Sequence, residues 1–559
     1  MGVAYRDRLR DLLRTQRHLI EAGLVAAVPV VVYLIVSPST GDHATQEFRT
    51  QFFEDRGFAI WSNLWYAGHH LPGYSLLFPP LAAWIGPRVV GALAVMASAL
   101  LFAGIAHRRW GDDARLGIYW FSISASISIF TGRLTFALGV AVGLAAVFAA
   151  QRGRNVPALL LAALCSLSSP VAGLFLAGAG VSWTIARGTL WGLAMAASAF
   201  GVDLLISLAF PEGGSQPFTF GSFAWAFGIT LIALALLPRQ ERLLRVGVGV
   251  YAIGLLVSVV VDNPIGNASV NIDNPMGSNA ARLGALLAGP LLACALWRRP
   301  GWSTRRIAIT LAVLIPVIGW WQWGPVMREL IEAKTDPSDR PGYYAPVRDF
   351  VRNAANGRPI RVEVVPVVDH WESAYLPPKV QLARGWERQL DVKLNPLFYE
   401  DRLTVADYRA WLDHNAVSYV AVNDGPKDFA AETEEKLIRD RRPAYLKLVY
   451  NDRDWEIYRV KDPTPLSEGA GTVEKIDTEG FTVDNEFAGT TLVRVHWTPY
   501  WTVAGGSGCV TEAPDGFTTV STRSPGRVRV ATNWRPWKAL GDGPNCREAP
   551  GEGSSDSDG

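Results

Sequence analysis

Apolar residues crowd the first 323 positions into runs long enough for membrane-crossing helices, and after Trp323 no run of that length recurs. A hydrocarbon layer of roughly 30 Å takes about 20 residues of helix. Runs of about that length fall at 19–38, 88–106, 115–131, 134–150, 156–169, 170–186, 188–210, 219–237, 246–261, 282–297 and 306–323. In lipid a helix satisfies its own backbone hydrogen bonds, so the pattern predicts a polytopic α-helical membrane protein of about eleven spans. Ser166 to Pro170 reads either as a tight turn between two short helices or as a kink in one. A kink would invert the sidedness of everything downstream.

The polar connections are unequal. The first loop, 38–88, is the longest between spans; within it Thr45 to Gly57 sets Phe48, Phe52 and Phe53 beside charged residues, the pattern of an interfacial amphipathic helix. Trp61, Trp65, Tyr66 and Tyr74 read as interfacial aromatics. The apolar run Tyr74 to Ile85 is too short to cross and is interrupted by Pro79-Pro80, so it reads as re-entrant or interfacial. Beyond the spans, helical and strand-like pieces alternate: 346–355 helical, 360–365 and 417–422 strands, 429–441 helical, 445–450 and 455–460 a strand pair. From Gly469 the pattern changes to short strands with glycine turns, as at 492–497, 517–521 and 528–532. The expected layout is an N-terminal segment 1–18, a membrane domain 19–325, an α/β domain 326–462, a β-sandwich domain 463–548 and a disordered Gly, Ser and Asp tail 549–559.

Composition agrees: 49% of the 559 residues are hydrophobic and only 19% charged. The net charge of +2 leaves no nucleic-acid footprint. The first lysine is Lys334, so arginine sets the orientation of the membrane part, basic residues near span ends being held on the cytoplasmic side. Arginines collect at the N-terminus and in alternate loops, as at Arg108 and Arg109, Arg152 and Arg154, Arg187, Arg239 to Arg245 and Arg298 to Arg306. This predicts a bacterial-type plasma-membrane protein with a cytoplasmic N-terminus and extracytoplasmic C-terminal domains. In that location Cys509 and Cys546 form a disulfide, worth about 4 kcal/mol on the chain-entropy model. Cys165 and Cys294 lie in apolar runs as packing residues.

Candidate chemistry gathers at the outer ends of the spans. Gly41-Asp42-His43 follows the first span and places a carboxylate at the membrane surface. Further on come Gly68-His69-His70-Leu71-Pro72-Gly73-Tyr74 and Leu77-Phe78-Pro79-Pro80-Leu81. This order resembles the GT-C class of glycosyltransferases, whose first external loop bears an acidic residue just after the first helix, then an interfacial helix and an aromatic, proline-rich return. The resemblance implies transfer of a sugar from a polyprenyl-phosphate donor to a glycan or lipid acceptor at the outer face, with inversion. Such a reaction needs a base for the acceptor hydroxyl and cations for the departing phosphate. Asp42 is the candidate base, and Arg133 and Arg282 are candidate phosphate ligands by bidentate contact, assisted by His69 or His70.

Candidate site-lining residues are His43, Glu47, Glu54, Asp55, Tyr74 and Asp203. Glu47, Glu54 and Asp55 with Asp42 would suit a divalent cation, since hard cations take carboxylate oxygens. Asp203 stands out as an ionisable group inside an apolar run. The Asn- and Asp-rich loop from Asp262 to Arg282 suits sugar hydroxyls or, equally, a turn-rich connection. Trp371, Trp386, Trp501 and Trp537 are candidate glycan-stacking residues. Each assignment has a structural competitor: Asp42 as a helix cap, the two arginines snorkelling to headgroups, Asp203 in a structural hydrogen bond, the tryptophans as core. Two other functions fit the same pattern, a transporter or flippase for a lipid-linked glycan and a non-catalytic envelope-assembly protein. Against the first, no matching interrupted helices occur in two halves.

Overall fold

The first helix buries one face and exposes large apolar residues on the other, the arrangement expected where helices touch each other on one face and lipid on the other. In the computed structural model, helix Arg17–Val36 buries Ala22, Ala26, Val30 and Tyr33, while Leu24, Val28 and Ile35 are exposed. The structure describes residues 16–262, 274–400, 402–540 and 545–547. The expected N-terminal segment up to residue 15, the loop positions Asn263, Asn267, Asn271 and Asp273, and the tail lie outside them.

Every predicted apolar run is helical. The helices are Arg17–Val36, Pro87–Trp110, Arg115–Ser124 with Ile127–Phe130, Leu134–Gln151, Asn155–Ser168, Pro170–Arg187, Trp191–Ala209, Phe220–Leu236, Arg242–Asp262, Ala281–Ala295 and Thr304–Thr335. Among the described residues, seven helical stretches are long and apolar enough to cross a membrane, and one of them, Pro87–Phe130, holds two of the predicted spans. Its helices Pro87–Trp110 and Arg115–Ser124 are joined by a short 3-10 turn at Gly111–Ala114, and Phe102 stacks on Phe121 across them, 4.2 Å between ring centroids. Asn155–Ser168 and Phe220–Leu236 are apolar but shorter. The chain is a polytopic helical membrane protein followed by a sheet-rich C-terminal part. Ser169 is extended (φ −161°, ψ 115°) and separates two helices, so the stretch 156–186 is not one kinked helix. Pro79 and Pro80 do not interrupt a segment; they begin helix Phe78–Ile85, where the missing N–H groups cost nothing.

The described residues form two compact units. The first comprises residues up to Asp55, Gly73–Ser207 and Gly213–Thr335; the second comprises Arg56–Pro72, Leu208–Glu212 and the residues from Asp336 onward. The long first loop is therefore divided between them.

In the second unit, strands Gln381–Leu382, Arg361–Val364, Val417–Asn423, Trp455–Val460 and Leu446–Asn451 form a five-stranded mixed sheet in that order. The first three are mutually parallel and the last two antiparallel. Helices Ala345–Ala355 and Val405–His414 accompany the sheet. The predicted helix 429–441 is Glu432–Lys436 continued by a wider turn at Leu437–Arg441. Further along, two antiparallel sheets of four and five strands enclose a core of Phe481, Val483, Val493, Trp501, Val510, Val520 and Val530, a β-sandwich. Cys509 and Cys546 stand opposite each other on paired strands and are joined by a disulfide.

Trp61, Trp65 and Tyr66 are not interfacial aromatics. Trp61 belongs to the sandwich core, its ring 5.6 Å from that of Trp501. Trp65 donates to the Ser373 carbonyl at 3.0 Å, and the Tyr66 hydroxyl accepts from the Glu387 N–H at 3.1 Å. An aromatic with a polar handle satisfies both its surface and its hydrogen bond in a protein interior as readily as at a lipid interface, and here the interior wins.

Candidate functional site

Where the chain leaves helix Arg17–Val36, Ser37 and Gly41 both take positive φ (47° and 51°), turning the backbone before helix His43–Arg56 begins. The turn packs against a second one at Thr131-Gly132. A Cβ on Gly41 would lie 2.7 Å from the Thr131 carbonyl oxygen. A Cβ on Gly132, also at positive φ, would lie 2.1 Å from the Thr40 carbonyl oxygen. Only glycine permits this approach on both sides, and Thr40 fastens it by donating to the Phe130 carbonyl at 2.7 Å.

Gln46, one turn into helix His43–Arg56, clasps the same junction from the side. Its amide nitrogen donates to the Gly132 carbonyl at 2.6 Å, and its amide oxygen accepts from the Leu134 N–H at 3.1 Å. Both contacts flank Arg133, the residue that precedes helix Leu134–Gln151. One side chain thus satisfies an unpaired helix-terminal N–H and fixes the backbone that carries the arginine.

The Asp42 carboxylate faces Arg282, in the first turn of helix Ala281–Ala295, whose Nη2 donates to Oδ2 at 3.4 Å. The pair is largely but not wholly enclosed, with side-chain exposures of 31% for Asp42 and 17% for Arg282. The Arg282 guanidinium also lies over the Phe136 ring, 5.6 Å from its centroid. Arg133 is close enough to repel Arg282. Tyr74 completes this side: its hydroxyl accepts from Gln46 at 3.4 Å, and Arg49 lies 4.9 Å above its ring. Burial, with the charge of Asp42, pushes the Tyr74 phenol up to about 12, so it stays protonated as a donor. His43 is buried, and burial together with the Arg88 charge lowers its imidazole to about 3. It is neutral at physiological pH.

Two of the three charged groups expected at the centre, Asp42 and Arg282, therefore touch, and the third, Arg133, stands within electrostatic reach. The other candidates are placed differently. Glu47 is half-buried and accepts from Gln51 at 3.0 Å, while Glu54 and Asp55 are exposed near the far end of the helix. Among the described residues no three acidic, His or Cys side chains group closely enough to hold a metal ion. Asp203 accepts from Ser166 at 3.3 Å, between helices of the first unit. His69 and His70 belong to the second unit. His70 is held between Glu212 (Nδ1 to Oε1, 2.8 Å) and Thr498 (Nε2 to Oγ1, 3.0 Å), and His69 stacks on Trp65.

The tryptophans divide as well. Trp501 and Trp371 are interior, Trp371 stacked on Tyr375, so packing takes the ring faces that sugar stacking would need. Trp386 is half-buried between His370 and Arg388 contacts, and Trp537 is exposed.

Three residues at the site escaped the sequence reading. Gln46 and Arg49 carried no signal, since both are ordinary residues of an amphipathic helix. Glu329 carried none either: it lies beyond the last apolar run, with Arg328 and Glu332 in the charged C-terminal part of helix Thr304–Thr335. Its Oε2 would lie 3.9 Å from a Cβ on Gly41, and its charge is felt by, and feels, those of Arg133 and Asp42.

No protein-family model matches the chain, and no curated protein matches it. Among solved structures it is similar to the arabinofuranosyltransferase AftD from Mycobacteria, in two classes of one mutant. Identity is 17% with a TM-score of 0.46, and 16% with 0.42, each over 88% of this chain and 43% of that one. It is also similar to ArnT from Cupriavidus metallidurans in the apo state, at 13% identity and a TM-score of 0.35, over 78% of this chain and 97% of that one. The chain spans less than half the length of the AftD structure.

Proposed function

We propose that this chain is a GT-C-like membrane glycosyltransferase that moves a sugar from a polyprenyl-phosphate donor to a cell-envelope glycan or lipid acceptor on the outer face of the membrane. The observation that carries the reading is the contact between Asp42 and Arg282 with a second guanidinium, Arg133, beside it. Two cations held near each other are an unfavourable arrangement that an anion relieves, and guanidinium forks match phosphate oxygens. The carboxylate in the same place supplies the base.

In the proposed reaction an acceptor hydroxyl attacks the anomeric carbon of the donor sugar from the side opposite the phosphate. The bond from that carbon to the phosphate oxygen breaks, and polyprenyl phosphate leaves with the electron pair. Asp42 takes the hydroxyl proton, the configuration inverts, and the arginines stabilise the charge that grows on the phosphate, the largest contribution expected in a site of this kind. The arginine distribution supports an extracytoplasmic location for this site and for the C-terminal domains. Trp537 is an exposed aromatic face that an acceptor glycan would stack on.

The test is transfer of radiolabel from a polyprenyl-phosphate-linked pentose or hexose to a glycan acceptor by the purified protein. Asp42→Asn keeps the shape and hydrogen bonding of the side chain but not its basicity. It is expected to lower turnover by roughly 10²- to 10⁴-fold at unchanged expression. Unaltered turnover in that variant removes the assigned base, and label crossing a sealed vesicle without covalent transfer assigns the chain to transport instead.

A further inference from the structure

Glu329 is a charged group beside Asp42 and Arg133 that the proposed chemistry does not use. It sits in the charged C-terminal part of helix Thr304–Thr335, beside Arg328. Its Oε2 is buried, and among the described residues it has no hydrogen-bond partner. An orphaned buried acceptor forfeits its hydration without replacement, so it is retained where a donor arrives from outside. The charges around it are Arg133 and Asp42 from the facing turns and Arg328 and Glu332 from its own helix.

Those neighbours restrict what the donor can be. A second anion is repelled by Asp42, Glu332 and Glu329 itself, and a phosphate has the guanidinia of Arg133 and Arg282 to go to. A neutral hydroxyl suffers neither penalty and offers the missing proton. In a polyprenyl-phosphate sugar the ring hydroxyls are separated from the phosphate by only the anomeric carbon and its neighbours. A phosphate on Arg133 therefore carries hydroxyls into the space beside Arg133, where Glu329 stands. Resting on the transferase reading above, we infer that Glu329 is a specificity-determining residue: its carboxylate accepts a hydrogen bond from a ring hydroxyl of the donor sugar, while the arginines hold the phosphate.

This division of labour predicts a difference that a structural role does not produce. The probes are two ligands for the purified full chain in detergent, a short-chain polyprenyl phosphate and the same lipid bearing the sugar, with dissociation constants read by titration. Glu329→Ala weakens the sugar-bearing lipid by roughly ten- to a hundredfold, the range for a lost hydrogen bond to a charged group, and leaves the bare lipid phosphate within about twofold. Glu329→Gln keeps an acceptor oxygen of the same shape, folds where the alanine variant fails, and loses less of the preference. Arg133→Ala weakens both ligands together. Equal weakening of the two ligands by the Glu329 variants, or no weakening of either, overturns the inference while leaving the transferase reading intact. Failure of the unaltered protein to bind either lipid overturns both.

Discussion

At the scale of single residues the site depends on side chains that differ in what they can be replaced by. Arg282 touches Asp42 at 3.4 Å and lies over Phe136, so it is positioned by a carboxylate and a ring face together. Lysine keeps the charge but has neither the planar fork nor the flat face, and is more strongly hydrated. Arg282→Lys is therefore expected to weaken binding of the donor phosphate about tenfold, roughly one good hydrogen bond, with a smaller effect on turnover of the bound complex. Steady-state kinetics with the donor varied separates the two, and a lysine variant with unchanged donor KM would place the phosphate elsewhere. The gathering of Asp42, Arg133 and Arg282 was legible because all three stand at the ends of apolar runs. Gln46 was not: its role arises from Gly132 and Leu134, more than eighty positions away, and nothing local distinguishes it from the other polar residues of its helix.

At the scale of elements, the junction of Thr40-Gly41-Asp42 with Thr131-Gly132-Arg133 sets where the charges stand, and it does so by backbone contact. Gly132 has φ of +66°, and a Cβ there would collide with the Thr40 carbonyl oxygen and approach the His43 and Asp42 N–H groups. Gly132→Ala combines a strained backbone, about 1–3 kcal/mol, with a clash that only separation of the two turns relieves. The expected outcome is a lowered unfolding midpoint together with loss of transfer, because Asp42 and Arg133 move apart in the same event. Thermal unfolding and the radiolabel assay on one preparation check both, and retention of full activity would detach the junction from the site. Periodicity located the elements here well, since helix His43–Arg56 and the apolar helices follow from spacing alone. It misjudged Pro79-Pro80, because the residue type that interrupts a helix also starts one, and the distinction lies in whether the preceding turn is helical. Gly111–Ala114, which carries Asp112 and Asp113 and reads as a connection between two apolar runs, is a 3-10 turn joining two helices.

At the scale of the molecule, the division into two units was only partly readable. The change from long apolar runs to short strands after Trp323 marks the onset of the C-terminal part, but nothing in residues 56–72 or 208–212 announces that they pack with it. Trp61 meets Trp501 across 440 positions, and contacts so distant leave no local period. The second unit also holds a buried ionic cluster that no spacing suggested. Arg384 binds Asp391 at 2.6 Å and lies 3.4 Å from Glu434 and 3.9 Å from Glu363, while Tyr408 donates to Glu434 at 2.7 Å. One guanidinium cannot offset three buried carboxylates, so proton binding balances the charge. Burial, and then the nearby Glu434 charge, raises the Glu363 carboxyl well above its ordinary 4.5, and burial raises Glu434 to about 7. Below about pH 4.5 folded and unfolded chains both hold these protons, and the groups favour neither state. As pH rises above that value the unfolded chain releases them while the folded chain retains them, so stability falls, with the Glu434 part of the fall complete near pH 7. Glu363→Gln preserves the shape and needs no proton. It is expected to raise the unfolding midpoint of the second unit at neutral pH and to flatten its decline between about pH 5 and 8, with little difference from the unaltered protein at the acid end. Unfolding curves recorded across that range decide the matter, and a variant whose curve runs parallel to the original at every pH would show that Glu363 carries no proton of its own.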